Sequence, residues 1–323
     1  MPQHGDRMYE LEFPAPEVKG TAQQGPTLIV ALDGYADAGL AVDASAQHLL
    51  SALDHRLVAS FNSDELIDYR SRRPAVVIDN DTVDQAQPLD LGIQVLKDSQ
   101  GKHFLLLSGP EPDLRWNAFT QAVGELVERF GVQHTICLYA APMTVPHTRP
   151  LVVSAHGNDE QLVGKQFKLD STITVPGSAA LHLERHLHSK GHSVAGYTAH
   201  VPHYLAASPY PQATLSLLET ITSTTGLHFP LGSLEHDARK VAQQVEEQVA
   251  GSREIEAVVQ QLEQQYDEEL QRYREQHPHA VLPGEQDVPS GEELGAEFEE
   301  FLAHLDDRSL GRGENEEDPE DQA

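Results

Sequence analysis

The chain has 323 residues, 39% of them apolar, which suffices for one large core and an appended subdomain, and 51 acidic against 22 basic residues give a formal charge of -29. A surface of that sign repels nucleic acid and anionic lipid, so polyanion binding is excluded as a function class. No run approaches the roughly 18 apolar residues of a membrane span, "MPQHGDRMYELEFPAPEV" lacks a signal-peptide core, and a single cysteine excludes a disulfide framework. The expected setting is therefore cytoplasmic and reducing.

In chain order, the first element is the strand "TLIVAL" at 27 to 32. It runs through "DGYADAG" into a helix expected over 38 to 53, a strand-to-helix crossover where open α/β folds commonly hold ligands. Free amides at such a helix start attract anions. Here the loop carries Asp33, Gly34, Tyr35 and Asp37 with no Lys, Arg, Ser or Thr, so carboxylates take the positive end of the helix dipole themselves. Asp37 reads as a cap, and neither a Walker pattern nor G-x-G-x-x-G is present.

Strands follow at 56 to 61, 75 to 79 ("AVVID") and 102 to 109; several are apolar almost throughout, which suits burial on both faces. "LDLGIQVLKDSQGKHFLLLSG" turns at "KDSQG", so an antiparallel pair joins the parallel strands. "SGPEPDLRWNAF" then places Glu111, Asp113, Arg115 and the only tryptophan, Trp116, past a strand end. Glu111 and Arg115 are in reach of pairing, Asp113 is positioned to cap the next helix, and Trp116 fills core volume or lines a crevice. That helix is expected over 115 to 130, stopped by Gly131. The strand at 134 to 141 contains Cys137, expected as a small buried hydrophobe.

"APMTVPHTRPLVVSAHG" adds His147, Arg149 and His156 around a strand at 150 to 155. A helix is expected over 177 to 190, a strand over 192 to 201, then His203, Tyr204 and Tyr210 lead into a helix over 211 to 225. His182 and His186 stand four apart in "HLERHLHSKGH", but the glutamate follows the leucine instead of the first histidine, which removes the H-E-x-x-H zinc reading and leaves a solvated helix face, with a structural zinc as the alternative. No G-x-S-x-G elbow appears; no catalytic residue, metal or cofactor is assigned.

Beyond residue 231 the character changes. Residues 232 to 277 read as a helical hairpin broken near Gly251, with stripes at Val241, Val245 and Val249 and at Ile255, Val258, Val259, Leu262, Tyr266 and Leu270 that must pack on the main domain or a partner. Residues 278 to 323 read as a linker, a short acidic helix and a tail; from 284 onward there are 15 acidic residues and two Arg. The expected organisation is an α/β/α domain with a mixed sheet at 1 to 231, the helical hairpin at 232 to 277 and this acidic segment.

Taken together, "GPTLIVALDGYADAG", "LLLSGPEPDLRWNAF", "TRPLVVSAHG" and "HVPHYLAASPYPQATLSLLETI" resemble the proteasome assembly chaperone two family, in particular its actinobacterial-type members, from about residue 8 to about 275. The resemblance implies a three-layer, phosphorylase/hydrolase-like fold and oligomers. Eukaryotic members of the family chaperone proteasome α-subunits. Archaeal relatives dock through a C-terminal hydrophobic-Tyr-any tripeptide; this chain ends "DQA". The function expected is a non-enzymatic chaperone or scaffold with protein partners, forming a homo-oligomer. The alternative is a small-ligand binder or enzyme using a nucleoside phosphorylase-like crevice, built from Asp33, Asp37, Glu111, Arg115, His147, Arg149, His156 and His203.

Overall fold

The computed structural model describes residues 8–13, 25–278 and 280–285. The short acidic helix and the tail expected in the last forty residues lie outside them. Contacts divide the chain into two units, Met1–Gly284 and Glu285–Ala323.

Among the described residues, eight strands form one mixed sheet and two more form a separate ribbon. The strands are β1 (Tyr9–Leu11), β2 (Thr27–Asp33), β3 (His55–Phe61), β4 (Val76–Asp79), β5 (Thr82–Ala86), β6 (Gly92–Lys97), β7 (His103–Pro110), β8 (His134–Met143), β9 (Val153–Gly157) and β10 (Ser193–Pro202). The sheet order is β1-β3-β6-β7-β2-β8-β10-β9. Its centre, β7-β2-β8-β10, is parallel, and each flank is antiparallel. The hairpin expected from "KDSQG" is the β6–β7 pair.

The helices are α1 (Ala41–Ala52), α2 (Ser63–Leu66), α3 (Trp116–Phe130), α4 (Glu160–Val163), α5 (Ala179–Ser189), α6 (Pro211–Thr225), α7 (Gly232–Ala250) and α8 (Arg253–Gln276). Their apolar stripes cover the sheet from both sides, which makes the three layers. On one face Ala41, Val42, Ala46 and Leu49 of α1 join Leu217, Leu218 and Ile221 of α6 and Leu234 and Ala238 of α7 against Ile29, Leu106, Ile136 and Tyr197. On the other, Phe119, Val123, Leu126 and Val127 of α3 and Leu183 and Leu187 of α5 cover Leu28, Val30, Leu105 and Cys137. Burying a side chain of this size is worth roughly 1.5–3 kcal/mol, so these two layers carry the fold.

Two expectations are corrected. The helix after β2 begins at Ala41 instead of residue 38, because Gly39 (φ 69°) and Leu40 (φ 52°) are left-handed and confine Ala38–Leu40 to a 3-10 turn. Gly39 is needed there: a Cβ would lie 2.9 Å from that of Tyr210, while its own N–H and C=O bond Ala206 O and Tyr210 N. "AVVID" is not a buried sheet strand. It is β4, paired among the described residues only with β5 in the separate ribbon, and every described side chain from Ala75 to Pro88 is exposed.

The α7–α8 hairpin packs along the main domain through half of its stripe. Val245, Val259, Leu262, Tyr266 and Tyr273 are buried, while Ile255 and Val258 are about half exposed. Arg149 clamps α8 by bonding Asp267 with Nε and Nη2 (2.9 and 2.8 Å) and Glu263 with Nη1 (3.1 Å). No helix among the described residues is long and apolar enough to cross a membrane.

Candidate functional site

Helix α5 starts only at Ala179, so the ends of β8, β10 and β9 on that face are roofed by the irregular segment 164–178 instead of a helix. Between roof and sheet lies a cavity of about 980 Å³. Its floor is built by register: Tyr139, Thr198 and Ser154 are neighbours across β8, β10 and β9, and His156 lies opposite Gly196. Leu169, Ile173, Val175 and Pro176 line the roof, and Tyr35, Asp37 and Ala38 close the β2 end.

Asp37 is held at that end by a backbone bridge to Ala140 and is 8% exposed. Its carboxylate accepts from Val42 N (2.6 Å) and Asp43 N (3.2 Å), so it occupies the amides that open α1. Burial outweighs these two bonds and raises its pKa to about 6. The crossover thus supplies its own anion at the helix start.

The opposite wall holds a connected polar group. His156 Nε2 lies 3.0 Å from Glu184 Oε2, and Tyr139 donates to Glu184 Oε1 at 2.5 Å. The imidazole is half exposed to the cavity while Glu184 is buried. The bond to Glu184 raises the His156 pKa against the opposing effect of burial, and burial pushes the Tyr139 hydroxyl and the Cys137 thiol well up. Gly196 makes the pair fit: a Cβ there would sit 2.4 Å from His156 Cε1 and 2.7 Å from Glu184 Oε1. Behind the floor, buried His200 meets Ser154 Oγ through Nε2 at 2.9 Å, and desolvation lowers its pKa to about 4, so it is neutral. This arrangement can bind one ligand group at His156 and exclude water from an apolar body. Its one hydroxyl–imidazole pair, Ser154 with His200, is buried at 4% and 6% exposure, and among the described residues no group of three His, Cys, Asp or Glu is placed to hold a metal.

Of the residues singled out by sequence, Tyr35, Asp37 and His156 reach this cavity. Asp33 faces the outer rim, bonded by Arg72 Nη1 at 3.0 Å. Glu111 lies behind Tyr35 and accepts from Tyr35 N (3.3 Å) and Ala179 N (2.6 Å), tying two loops together; a Cβ on Gly34 would overlap it. Glu111 does not pair with Arg115, whose guanidinium, on a left-handed backbone, turns to Glu65. Asp113 does not cap α3; it accepts from Asp68 N at 2.8 Å. Trp116 donates to Pro112 O and packs edge-on against His182. His147 bonds Tyr204 OH at 2.7 Å, Arg149 is committed to α8, and His203 is exposed with its ring 5.3 Å from Tyr204.

Glu184, Tyr139 and Gly196 were missed. Glu184 had a signal: it interrupts the stripe Ala180, Leu183, Glu184, Leu187, where a carboxylate on an apolar face needs a buried partner. Gly196, inside a strand, marked a close approach.

The PAC2 family profile matches residues 31–249. The chain belongs to the PAC2 family. Among solved structures, a protein of unknown function from Corynebacterium glutamicum is 61% identical, with a TM-score of 0.80 over 83% of this chain and 100% of that one. A Mycobacterium tuberculosis protein of unknown function is 46% identical, with a TM-score of 0.79 over 83% and 92%. The M. tuberculosis proteasome-assembly chaperone homologue, at 22% identity, TM-score 0.66 and 72% and 99% coverage, shares the fold. A search of curated proteins gave no match. The PAC2 match begins inside β2 and ends in α7, so it spans the cavity floor, the roof and the ribbon.

Proposed function

We propose that this PAC2 chain is a non-enzymatic, chaperone-like or scaffold protein that assists assembly of a protein complex through oligomeric protein–protein contacts. The observation that carries this reading is the β4–β5 ribbon, where Val76, Val77, Ile78 and Val83 are 48%, 54%, 67% and 68% exposed within one short element. Clustered apolar side chains on an otherwise acidic surface mark a contact site. The family membership agrees with it, since a solved relative is described as a proteasome-assembly chaperone homologue. The test is capture from native lysate with the full chain and with Ile78→Asp/Val83→Asp. A specific protein retained by the first and lost by the second supports the function; identical retention, or none, contradicts it.

The second reading is a small-ligand site, favoured by the 980 Å³ cavity and the half-exposed imidazole that Glu184 fixes in it. It predicts that a metabolite raises the melting temperature of the wild type and not of His156→Ala, because a ligand binding only the folded state stabilises it.

A further inference from the structure

We propose that the cavity beneath the 164–178 segment binds an aliphatic monocarboxylate, with the carboxylate between His156 and Lys168 and the alkyl chain under the roof. This deepens the small-ligand reading above and rests on it. The walls define the chain. A volume of about 980 Å³ suits a molecule well beyond acetate in size, and Val163, Leu169, Ile173, Val175, Pro176 and Leu181 line it with aliphatic carbon. Leu169, Ile173 and Val175 are 39%, 56% and 53% exposed, so the roof offers apolar surface that an alkyl chain removes from water.

The polar groups define the head. His156 Nε2 is committed to Glu184, while its Nδ1 has no partner among the described residues. Glu184 is buried and already accepts from Tyr139, and a buried carboxylate is retained only against a paired charge, so the bond favours the imidazolium. Its Nδ1–H is then a charged donor on a half-exposed ring in the cavity wall. Phe167 bridges Ser154 in parallel and accepts from Ala155 N at 2.8 Å, which brings Lys168, also in the lining, alongside the strand edge that carries His156. Among the described residues Lys168 Nζ meets only Glu160, which is 82% exposed and 3.5 Å away, a contact weak enough to be exchanged for a ligand anion. A carboxylate accepting from both gains charge-assisted bonds, about twice as strong as those an alcohol makes. A doubled charge is disfavoured: Asp37 and Glu160 are carboxylates in the same lining, among the described residues no arginine lines it, and Asp37 fills the helix amides that a phosphate needs. One carboxylate on an apolar body meets all of these conditions.

The experiment is calorimetric titration of the full chain at neutral pH with hexanoate, octanoate and decanoate. Kd is expected to tighten about fourfold per added methylene. His156→Gln is expected to weaken octanoate binding at least about tenfold, and Lys168→Met to weaken it about two- to fivefold. Ile173→Asp, which sets a carboxylate on the roof, is expected to abolish saturable binding. The last two replace partly exposed side chains, so they keep the test decisive if His156→Gln unfolds by stranding Glu184. Octanol and octyl phosphate are the comparison probes. Either one binding as tightly as octanoate, and losing affinity in His156→Gln, overturns the carboxylate and leaves the small-ligand reading standing. Octanoate binding unchanged in all the variants overturns the site, and no saturable binding by any of these probes overturns the proposal and that reading together.

Discussion

The cavity and the ribbon invert each other. In and behind the cavity walls, groups that prefer water are buried and each is held: Asp37 by two amides, Glu184 by Tyr139 and His156, His200 by Ser154. On the ribbon, groups that avoid water stand in it. Each region breaks the rule of apolar inside and polar outside, and such breaks concentrate where a protein does something besides fold. The difference lies in what compensates. Hydrogen bonds within the chain compensate the cavity, which is therefore stable as it stands. Nothing within the described chain compensates the ribbon, and the protein contact proposed above would supply that compensation.

The sharpest contrast is in stability. Leu183→Ala, at 0% exposure beneath the cavity wall, is expected to cost about 2–5 kcal/mol in urea unfolding, whereas Ile78→Ala changes the same quantity by about 0.5 or less in the monomer. Equal costs would mean the ribbon is packed on its own core. Next, Gly196→Ala is expected to cost about 1–3 kcal/mol, because its Cβ meets His156 and Glu184 below contact distance.

Acidity separates two buried groups, Asp37 in the cavity lining and His200 behind its floor. His200, depressed to about 4, contributes stability that is present above its ordinary 6.5 and lost as pH falls toward 4. Asp37, raised to about 6, does the reverse: its contribution is present below its ordinary 3.8 and lost as pH rises through 6. Between pH 4 and 6 the two oppose each other, with a limiting slope of about 1.4 kcal/mol per pH unit for each. Asp37→Asn is expected to steepen the acid loss of stability and His200→Gln to relieve it. Chemical denaturation across that window checks the signs; slopes that move together contradict the assignment. The smallest effect is expected at Arg149, whose replacement by Ala removes an exposed clamp worth about 0.2–1 kcal/mol and accelerates amide exchange in α8 with little change elsewhere.

Much of the frame was legible because periodicity reports burial. The strands from β2 to β10 that form the main sheet, the helices α3, α5 and α6, and the break near Gly251 all follow from alternation, apolar runs and the glycine stop at Gly131. "AVVID" was misplaced for the same reason: an apolar β run has one pattern whether the cover comes from its own chain or from another. Asp37 was read as a cap from the loop alone, and its carboxylate does hold the first amides of α1. Pairings across long separations were not legible. Arg115 turning to Glu65, Arg149 reaching Asp267 and Glu184 meeting His156 depend on strand order, which no local spacing encodes.

Hydrogen–deuterium exchange at the ribbon tests the account most directly. If β4 is a protein-contact surface, amides of residues 76 to 79 gain protection when the full chain is bound to the protein it captures, and Ile78→Asp/Val83→Asp loses that gain. Exchange at the same fast rate with and without that protein would contradict it.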